Sequence, residues 1–333
     1  MRYLSVLFIL ILQTLNLLGQ FHPPAGQPGT SAIYKDSNVF VSWAKVCVVN
    51  RGYVDISNPA LGYVTSGHDS CATGKAGEKG AVSLGDGGNA ILYFDKPIIN
   101  GPGYDFAVFE NSFNDTFLEL AFVEVSSDGI NFFRFPATSN TPTNYQVGTF
   151  GSIDATKVNN LAGKYKAFYG TPFDLDELTG IPNLNVNNIV AVKIIDVVGC
   201  IQQPYATYDY FGNIINDPWP TPFASGGFDL DAVGIINQND SYNVNEYDNN
   251  KIDFLVYPSI LKKDNRHLNI IRLNNNLHKA YFTIFNSNGK IIYTSDINSD
   301  NLCIDLYYLS SGIYFLKILQ DNNILNNFKI IIN

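Results

Sequence analysis

Val123-Glu124-Val125-Ser126-Ser127-Asp128-Gly129-Ile130-Asn131-Phe132 decides the fold class. It reads as a strand, an Asp-Gly turn and a second strand that ends on an aromatic ring. The Asp-Gly pair supplies the positive φ that a tight hairpin needs. Strands of the same make lie on both sides, at Ala90–Phe94, Tyr104–Glu110, Phe117–Val125, Asn131–Phe135, Ile189–Val198 and Phe228–Ile236. They are short, rich in Val, Ile, Phe and Tyr, and bounded by Gly, Asp, Asn and Pro. Several are apolar on both faces, which suits the central strands of a two-layer packing. Only Val158–Phe168 has a claim to be a helix. Residues 21–237 are therefore expected to form an all-β sandwich or jelly roll.

The whole chain has 333 residues, 46% of them hydrophobic, 14% aromatic and 15% charged. That excludes intrinsic disorder, which needs low hydrophobicity and high net charge. At roughly 100–200 residues per domain, the length suggests two domains. Lys and Arg number 21 against 30 Asp and Glu, a formal charge of −9. Such a chain lacks the basic footprint of nucleic-acid binding and is not drawn to an anionic membrane surface. Cations, neutral sugars or small apolar ligands suit it better.

Residues 1–20 carry one early Arg, an apolar run from Leu4 to Leu12 and a second from Leu15 to Leu18, then Gly19-Gln20. This reads as a signal peptide. Gln13, Thr14 and Asn16 keep the run short of the ~20 apolar residues of a membrane span. The mature protein is expected to be exported. In an oxidising compartment Cys47 and Cys71 could bridge, with buried free thiols as the alternative, and Cys200 would be left over. No CxxC spacing links the four cysteines, which disfavours zinc.

Residues 238–251 are polar and Asn-rich, the composition of a linker. A second β unit follows over residues 252–333, with alternating runs at His267–Leu273, Ala280–Phe285, Lys290–Thr294 and Ile313–Leu319. Asn286-Ser287-Asn288-Gly289 reads as a hairpin turn between two of them. Val256-Tyr257-Pro258, Phe282–Lys290, Ile304-Asp305-Leu306 with Leu309, Gly312–Lys317 and Phe328–Ile331 form a spaced series. This unit resembles the C-terminal sorting domain, type A, of the type IX secretion system of Bacteroidota. Ser259-Ile260 departs from the Asn-Pro usual after Tyr-Pro in that family. The resemblance implies a small C-terminal β-sandwich that engages the type IX machinery. It also implies passage across the outer membrane, removal of the domain, and release or attachment at the cell surface.

In the N-terminal domain, Gly226-Gly227-Phe228-Asp229-Leu230-Asp231-Ala232-Val233 is the most informative motif. Strand alternation puts Asp229 and Asp231 on one face, about 6.6 Å apart. Two carboxylates so close repel unless a cation or hydrogen-bond donors sit between them. Asp86, within Gly85–Asn89, and Glu110-Asn111 at a strand edge offer further oxygens. A hard cation such as Ca²⁺ takes six to eight oxygens, so a structural calcium at Asp229, Asp231, Asp86, Glu110 and Asn111 is one expectation, and a pair of solvated or turn-capping aspartates is the other. A second Phe-Asp-Leu-Asp at Phe173–Asp176 is too short to establish an internal repeat.

The opening hairpin is similar to that of discoidin-type and other galactose-binding-like jelly rolls. Taken with the Gly-Asp-Gly-Gly, Phe-Glu-Asn and Phe-Asp-Leu-Asp motifs, residues 25–237 resemble bacterial cell-surface proteins of largely unassigned role. That resemblance implies a secreted jelly-roll protein and brings no catalytic residues. Similar last strands in carbohydrate-binding jelly rolls contribute a calcium ligand.

Tyr205 to Pro222 is a proline-stiffened loop with Tyr205, Tyr208, Tyr210, Phe211 and Trp219, directly before the Asp-rich strand. Exposed rings on a rigid loop make stacking platforms for sugars or planar ligands. Tyr205, Tyr208, Tyr210 and Trp219 are the candidate ligand contacts, and the alternative is that they seal one end of the sandwich. Of catalytic patterns, His68–Ala76 fails as a phosphate loop, and neither HExxH nor GxSxG occurs. Glu110, Glu119, Glu124 and Asp229 are available as glycosidase carboxylates. The expected function is non-enzymatic capture of a glycan or small nutrient, handed to an outer-membrane TonB-type receptor. A secreted glycoside hydrolase or lyase, and a structural adhesion or matrix component, are the alternatives.

Overall fold

The computed structural model describes residues 21–239, 253–257, 260–261, 266–272, 279–320 and 323–333. The chain divides into two compact units at Tyr242/Asn243. The signal segment 1–20 and most of the Asn-rich stretch 238–251 lie outside the described residues.

Two antiparallel sheets face each other in the first unit. One orders Ile33–Tyr34, Tyr169–Phe173, Phe106–Glu110, Asp229–Ile235 and Ser42–Trp43, with Val82–Ser83 also paired to Asp229–Ile235. The other orders Val46–Asn50, Asn89–Ile98, Ile189–Asp196, Ala121–Ser126 and Phe133–Arg134. Their facing residues form one core, to which Leu92, Val123, Val192 and Ile194 come from the second sheet and Phe106, Val108, Leu230 and Val233 from the first. Alternation explains which residues turn inward. In Ile189–Asp196, Val192 and Ile194 are buried, while Lys193 between them reaches Glu124 across 3.7 Å. Phe106, Phe135 and Phe173 meet in the core with ring centroids 5.0–5.9 Å apart.

The opening hairpin forms, but not tightly. Ala121–Ser126 pairs with Phe133–Arg134 in the register Glu124↔Arg134 and Val125↔Phe133, so residues 127–132 make a wide loop. Asp128 organises it by accepting from the N–H groups of Ile130 and Asn131, each at 2.8 Å. Residues 117–120, expected in a strand, precede the pairing that starts at Ala121.

The helix expected at Val158–Phe168 does not form. A 3₁₀ turn at Ala155–Lys157 leads into the short strand Val158–Asn159, which pairs with Thr138–Ser139. Asn160 (φ 52°), Gly163 (φ 81°) and Phe168 (φ 71°) sit in left-handed backbone that a right-handed helix cannot contain. Helical structure among the described residues is confined to four 3₁₀ segments. Among those residues no helix is long and apolar enough to cross a membrane. The four cysteines are free thiols, so Cys47 and Cys71 are not bridged. Burial, chiefly, pushes the Cys47 thiol pKa up, which keeps it inert.

The second unit is also a pair of sheets. Phe254–Tyr257, His267–Arg272 and Asn301–Asp305 form one. Ile260–Leu261, Asn323–Ile332, Gly312–Gln320, Ala280–Asn286 and Ile291–Asp296 form the other, in which Ile260–Leu261 runs parallel to its neighbour. Phe254, Phe282, Ile284, Leu316 and Ile330 are among its fully buried core residues. The turn at Asn286–Gly289 joins two strands as expected, with Asn286 Oδ1 accepting from the N–H groups of Asn288 and Lys290. Leu273, the end of one expected strand, lies outside the described residues.

Candidate functional site

Loops from distant parts of the chain meet at one end of the N-terminal sandwich. Trp219 N donates to Val147 O at 3.0 Å, and Thr149 Oγ1 donates to Pro220 O at 2.8 Å. The N–H groups of Thr65 and Ser66 both reach Ala224 O at 2.9 Å, and Ile153 N reaches Thr116 O at 2.7 Å. The segments around residues 53–66, 111–117, 147–153 and 205–226 thus brace one another.

The four candidate ligand contacts divide into two groups here. Tyr205 and Trp219, both half-buried, hold their rings 6.5 Å apart. Tyr208 and Tyr210 are exposed, Tyr208 accepting a hydrogen bond from the Gln203 side-chain amide and Tyr210 packing edge-on to Phe211 at 5.3 Å. Asp209 fixes this second group from beneath. Its carboxylate accepts from the N–H groups of Ser139, Phe211 and Asn213 and from the Asn213 amide. Burial alone raises its pKa, but these donors outweigh burial and hold it below the ordinary value.

The expected oxygen ligands are also divided. Asp229 takes hydrogen bonds from the Ser83 hydroxyl and the Asn111 side chain, next to the Glu110–Leu230 strand pairing. Asp231 instead receives the Gly77 N–H on both oxygens, at 2.9 and 3.0 Å. A β-bulge falls between Leu230 and Ala232 and breaks the period-two alternation, so the two aspartates have different neighbours. Asp86 lies under the aromatic loop, accepting from Ile56 N at 2.9 Å and from the Trp219 indole N–H at 3.1 Å. Glu110 Oε2 accepts from Ser112 N, while its Oε1 is buried without a partner.

Three further acids join this group, and for Asp196 and Glu119 the signal in the sequence is an acid set between apolar neighbours. Asp196 ends the apolar run Ile189–Ile195 and accepts from Phe228 N at 2.8 Å and Gly87 N at 3.0 Å. Gly227 has φ 70°, and a Cβ there would stand 2.7 Å from Asp196 Oδ1, which explains the glycine pair before Phe228. Asp217 accepts from Leu120 N through Oδ2, and its Oδ1 is buried without a partner. Glu119 is 8% exposed.

Burial is the first cause that raises each of these carboxyl pKa values, and mutual repulsion adds to it. Glu110 is pushed well above the ordinary range by burial and then by Glu119 and Asp229. Glu119 is raised likewise by burial, Asp229 and Asp196, and Asp217 by burial, Glu119, Asp196 and Asp86. Asp196 is raised to about 8 and Asp229 to about 6, the latter against the pull of Ser83, Asn111 and Arg51. Asp231, away from this network, is raised to about 6 by burial.

Among the described residues no three His, Cys, Asp or Glu side chains are arranged to hold one metal ion. An ion at this corner would draw on Glu110 and Asp229 with the Asn111 amide, and would need main-chain or water oxygens to fill its shell.

Comparison with known families places the other unit. Residues 264–333 match the secretion system C-terminal sorting domain. This unit is a type IX sorting domain. The protein is therefore exported through the type IX machinery to the cell surface or the medium. No curated protein matches the chain. Among solved structures, a biofilm-associated protein BSP domain is 13% identical with a TM-score of 0.22, covering 90% of this chain and 53% of that one. A β-glucuronidase from Ruminococcus gnavus is 9% identical at a TM-score of 0.22, covering 89% of this chain and 46% of that one. The β-glucuronidase of Parabacteroides merdae is 8% identical at 0.25, covering 88% and 35%. The chain thus spans about half or less of each of these proteins.

Proposed function

We propose that the N-terminal domain captures a glycan or small nutrient at the cell surface without turning it over, and passes it to an outer-membrane TonB-type receptor. One observation carries this reading. Tyr208, Tyr210 and Phe211 are held outward on a loop that Asp209 anchors with four hydrogen bonds. Aromatic rings kept exposed on a braced loop offer stacking area with little ordering left to do on binding. A glycan array together with a cobinamide screen on the exported protein supplies the ligand. Tyr208→Ala and Tyr210→Ala should then weaken capture without moving the melting temperature. Unchanged affinity in both variants defeats the reading.

A structural calcium ion belongs to the same proposal, with Glu110, Asn111 and Asp229 as side-chain ligands. Its support is the partnerless Glu110 Oε1 beside two other oxygen donors. The second reading, a glycoside hydrolase or lyase, is favoured by Glu110 and Asp229, two neighbouring carboxyls with raised pKa. Turnover lost on Glu110→Gln with binding retained would establish it instead.

A further inference from the structure

Four phenylalanines from three loops form a second ring surface that the aromatic loop does not include. Phe113 is 86% exposed, Phe150 77% and Phe223 44%, with Phe117 half-buried between the first two. Their rings run in series. Phe113 and Phe117 are 6.4 Å apart at 28°, Phe117 and Phe150 6.3 Å at 36°, and Phe150 and Phe223 5.8 Å at 27°.

The row is set before any ligand arrives. Asn114 Oδ1 accepts from Thr116 N and Phe117 N, both at 2.8 Å, and closes the first loop on itself. Ile153 N to Thr116 O ties the second loop to the first, and Thr149 Oγ1 to Pro220 O ties it to the third. Gly226 N to Phe223 O, at 3.0 Å, holds the last ring. A Phe side chain left in water forgoes the free energy of burying it. Rings that forgo it side by side on braced loops make the kind of apolar strip that marks a recognition surface.

We propose that Phe113, Phe117, Phe150 and Phe223 are a stacking platform for an extended, uncharged oligosaccharide. The inference rests on the ligand-capture reading and names a substrate class and a second surface for it. Length follows from the series of four rings, because a single small molecule covers one or two faces and a chain of sugar rings covers all. Charge follows from the acidic balance of the chain, 30 Asp and Glu against 21 Lys and Arg. Lys166 is already held by Asp115, two residues after Phe113, at 2.8 Å. A chain of formal charge −9 disfavours uronate, sulfate and phosphate groups, which need a free cation to hold them. Phenylalanine carries no hydroxyl or N–H, so contact is through ring faces, and the sugar hydroxyls stay hydrated or reach the rim.

The test is isothermal titration of the full chain with neutral cello-, xylo-, manno- and malto-oligosaccharides from disaccharide to hexasaccharide, and with oligogalacturonates. Affinity for one neutral series should rise with length, and oligogalacturonates should not bind. Phe150→Ala should weaken the longest ligand several-fold and Phe113→Ala/Phe150→Ala more than tenfold, with the melting temperature unchanged. No neutral series binding, tighter binding of the acidic series, or equal affinity in the double variant overturns the proposal. So does a wild-type dimer that the double variant turns into a monomer, which makes the row a self-association face. Capture lost on Tyr208→Ala and unchanged in the Phe variants leaves the ligand-capture reading standing and this one overturned. The reverse pattern supports the Phe platform and removes the tyrosine loop.

Discussion

The indole N–H of Trp219 donates to Asp86 Oδ2 across 3.1 Å, joining two residues 133 positions apart. The bond ties the aromatic loop to the glycine turn at Gly85–Gly88. Trp219 is consequently as much a brace as a stacking ring. Trp219→Phe should keep the ring and lose the bond, lowering the melting temperature by a few degrees at most, since a net hydrogen bond contributes about 1 kcal/mol. Trp219→Ala should cost more, because the half-buried ring and its contact with Tyr205 are lost along with the bond. Equal melting of both variants with wild type would make the bond inconsequential. Tyr208→Ala, which removes an exposed ring, is the cleaner probe of capture.

Lowering the pH from 8 towards 4 should stabilise this domain. Folded-state values of about 6 for Asp229 and about 8 for Asp196 lie above the ordinary 3.8, and Glu110, Glu119 and Asp217 are also raised. The folded state therefore holds protons that the unfolded state has released. Stability is highest below the unfolded pKa and falls as pH rises from about 4 through 6 and on to 8. Melting without divalent ions should be lower at pH 8 than at pH 5, and Asp196→Asn should flatten the slope between 6 and 8. Melting that rises over this range refutes the argument.

The core triad sets the scale for an ordinary stability loss. Phe173 is fully buried and packs on Phe106 at 5.4 Å and Phe135 at 5.0 Å. Phe173→Ala should cost about 3–5 kcal/mol, measured by denaturant unfolding of the N-terminal domain. A loss under about 1 kcal/mol would mean that the neighbours collapse into the gap.

The legible part of this protein was what local rules decide. Val, Ile and Phe alternation placed the strands at Ile189–Asp196 and Asp229–Ile235 within a residue or two, because burial on a pleated sheet is a period-two pattern. The spaced motifs of the last unit located the sorting domain. Long-range geometry was not legible. The bulge beside Asp231 is one extra residue set by pairing with Phe106–Glu110, and nothing in Phe-Asp-Leu-Asp announces it. The Phe113–Phe223 row is assembled from three loops whose residues look like scattered surface rings until the sandwich brings them together. The apolar content of Val158–Phe168 suggests a helix, but Asn160 and Gly163 take left-handed backbone that breaks one.

Calcium should act on the same carboxylates as protons and in competition with them. If an ion binds only the folded state, a concentration of ~100 times its dissociation constant adds about 2.7 kcal/mol. Melting at pH 8 with calcium and with EDTA should then separate by several degrees, and the gap should close at pH 5, where the acids hold protons. Glu110→Gln should abolish the calcium response. Superimposed curves at both pH values would leave protonation alone to relieve the cluster.

Removal of the sorting unit should leave a folded, capture-competent domain. The large core of the first unit runs from Ala44 to Ile235, and that of the second from Phe254 to Ile332, so each buries its own apolar residues. Deleting residues 264–333 should trap the protein inside the cell, whereas protein recovered from the cell surface should end before Tyr257. Mass spectrometry of the surface form reads the new C-terminus directly. An intact Ile330–Asn333 peptide at the surface would show that sorting proceeds here without cleavage, and a deletion variant that still reached the surface would mean that another segment directs export.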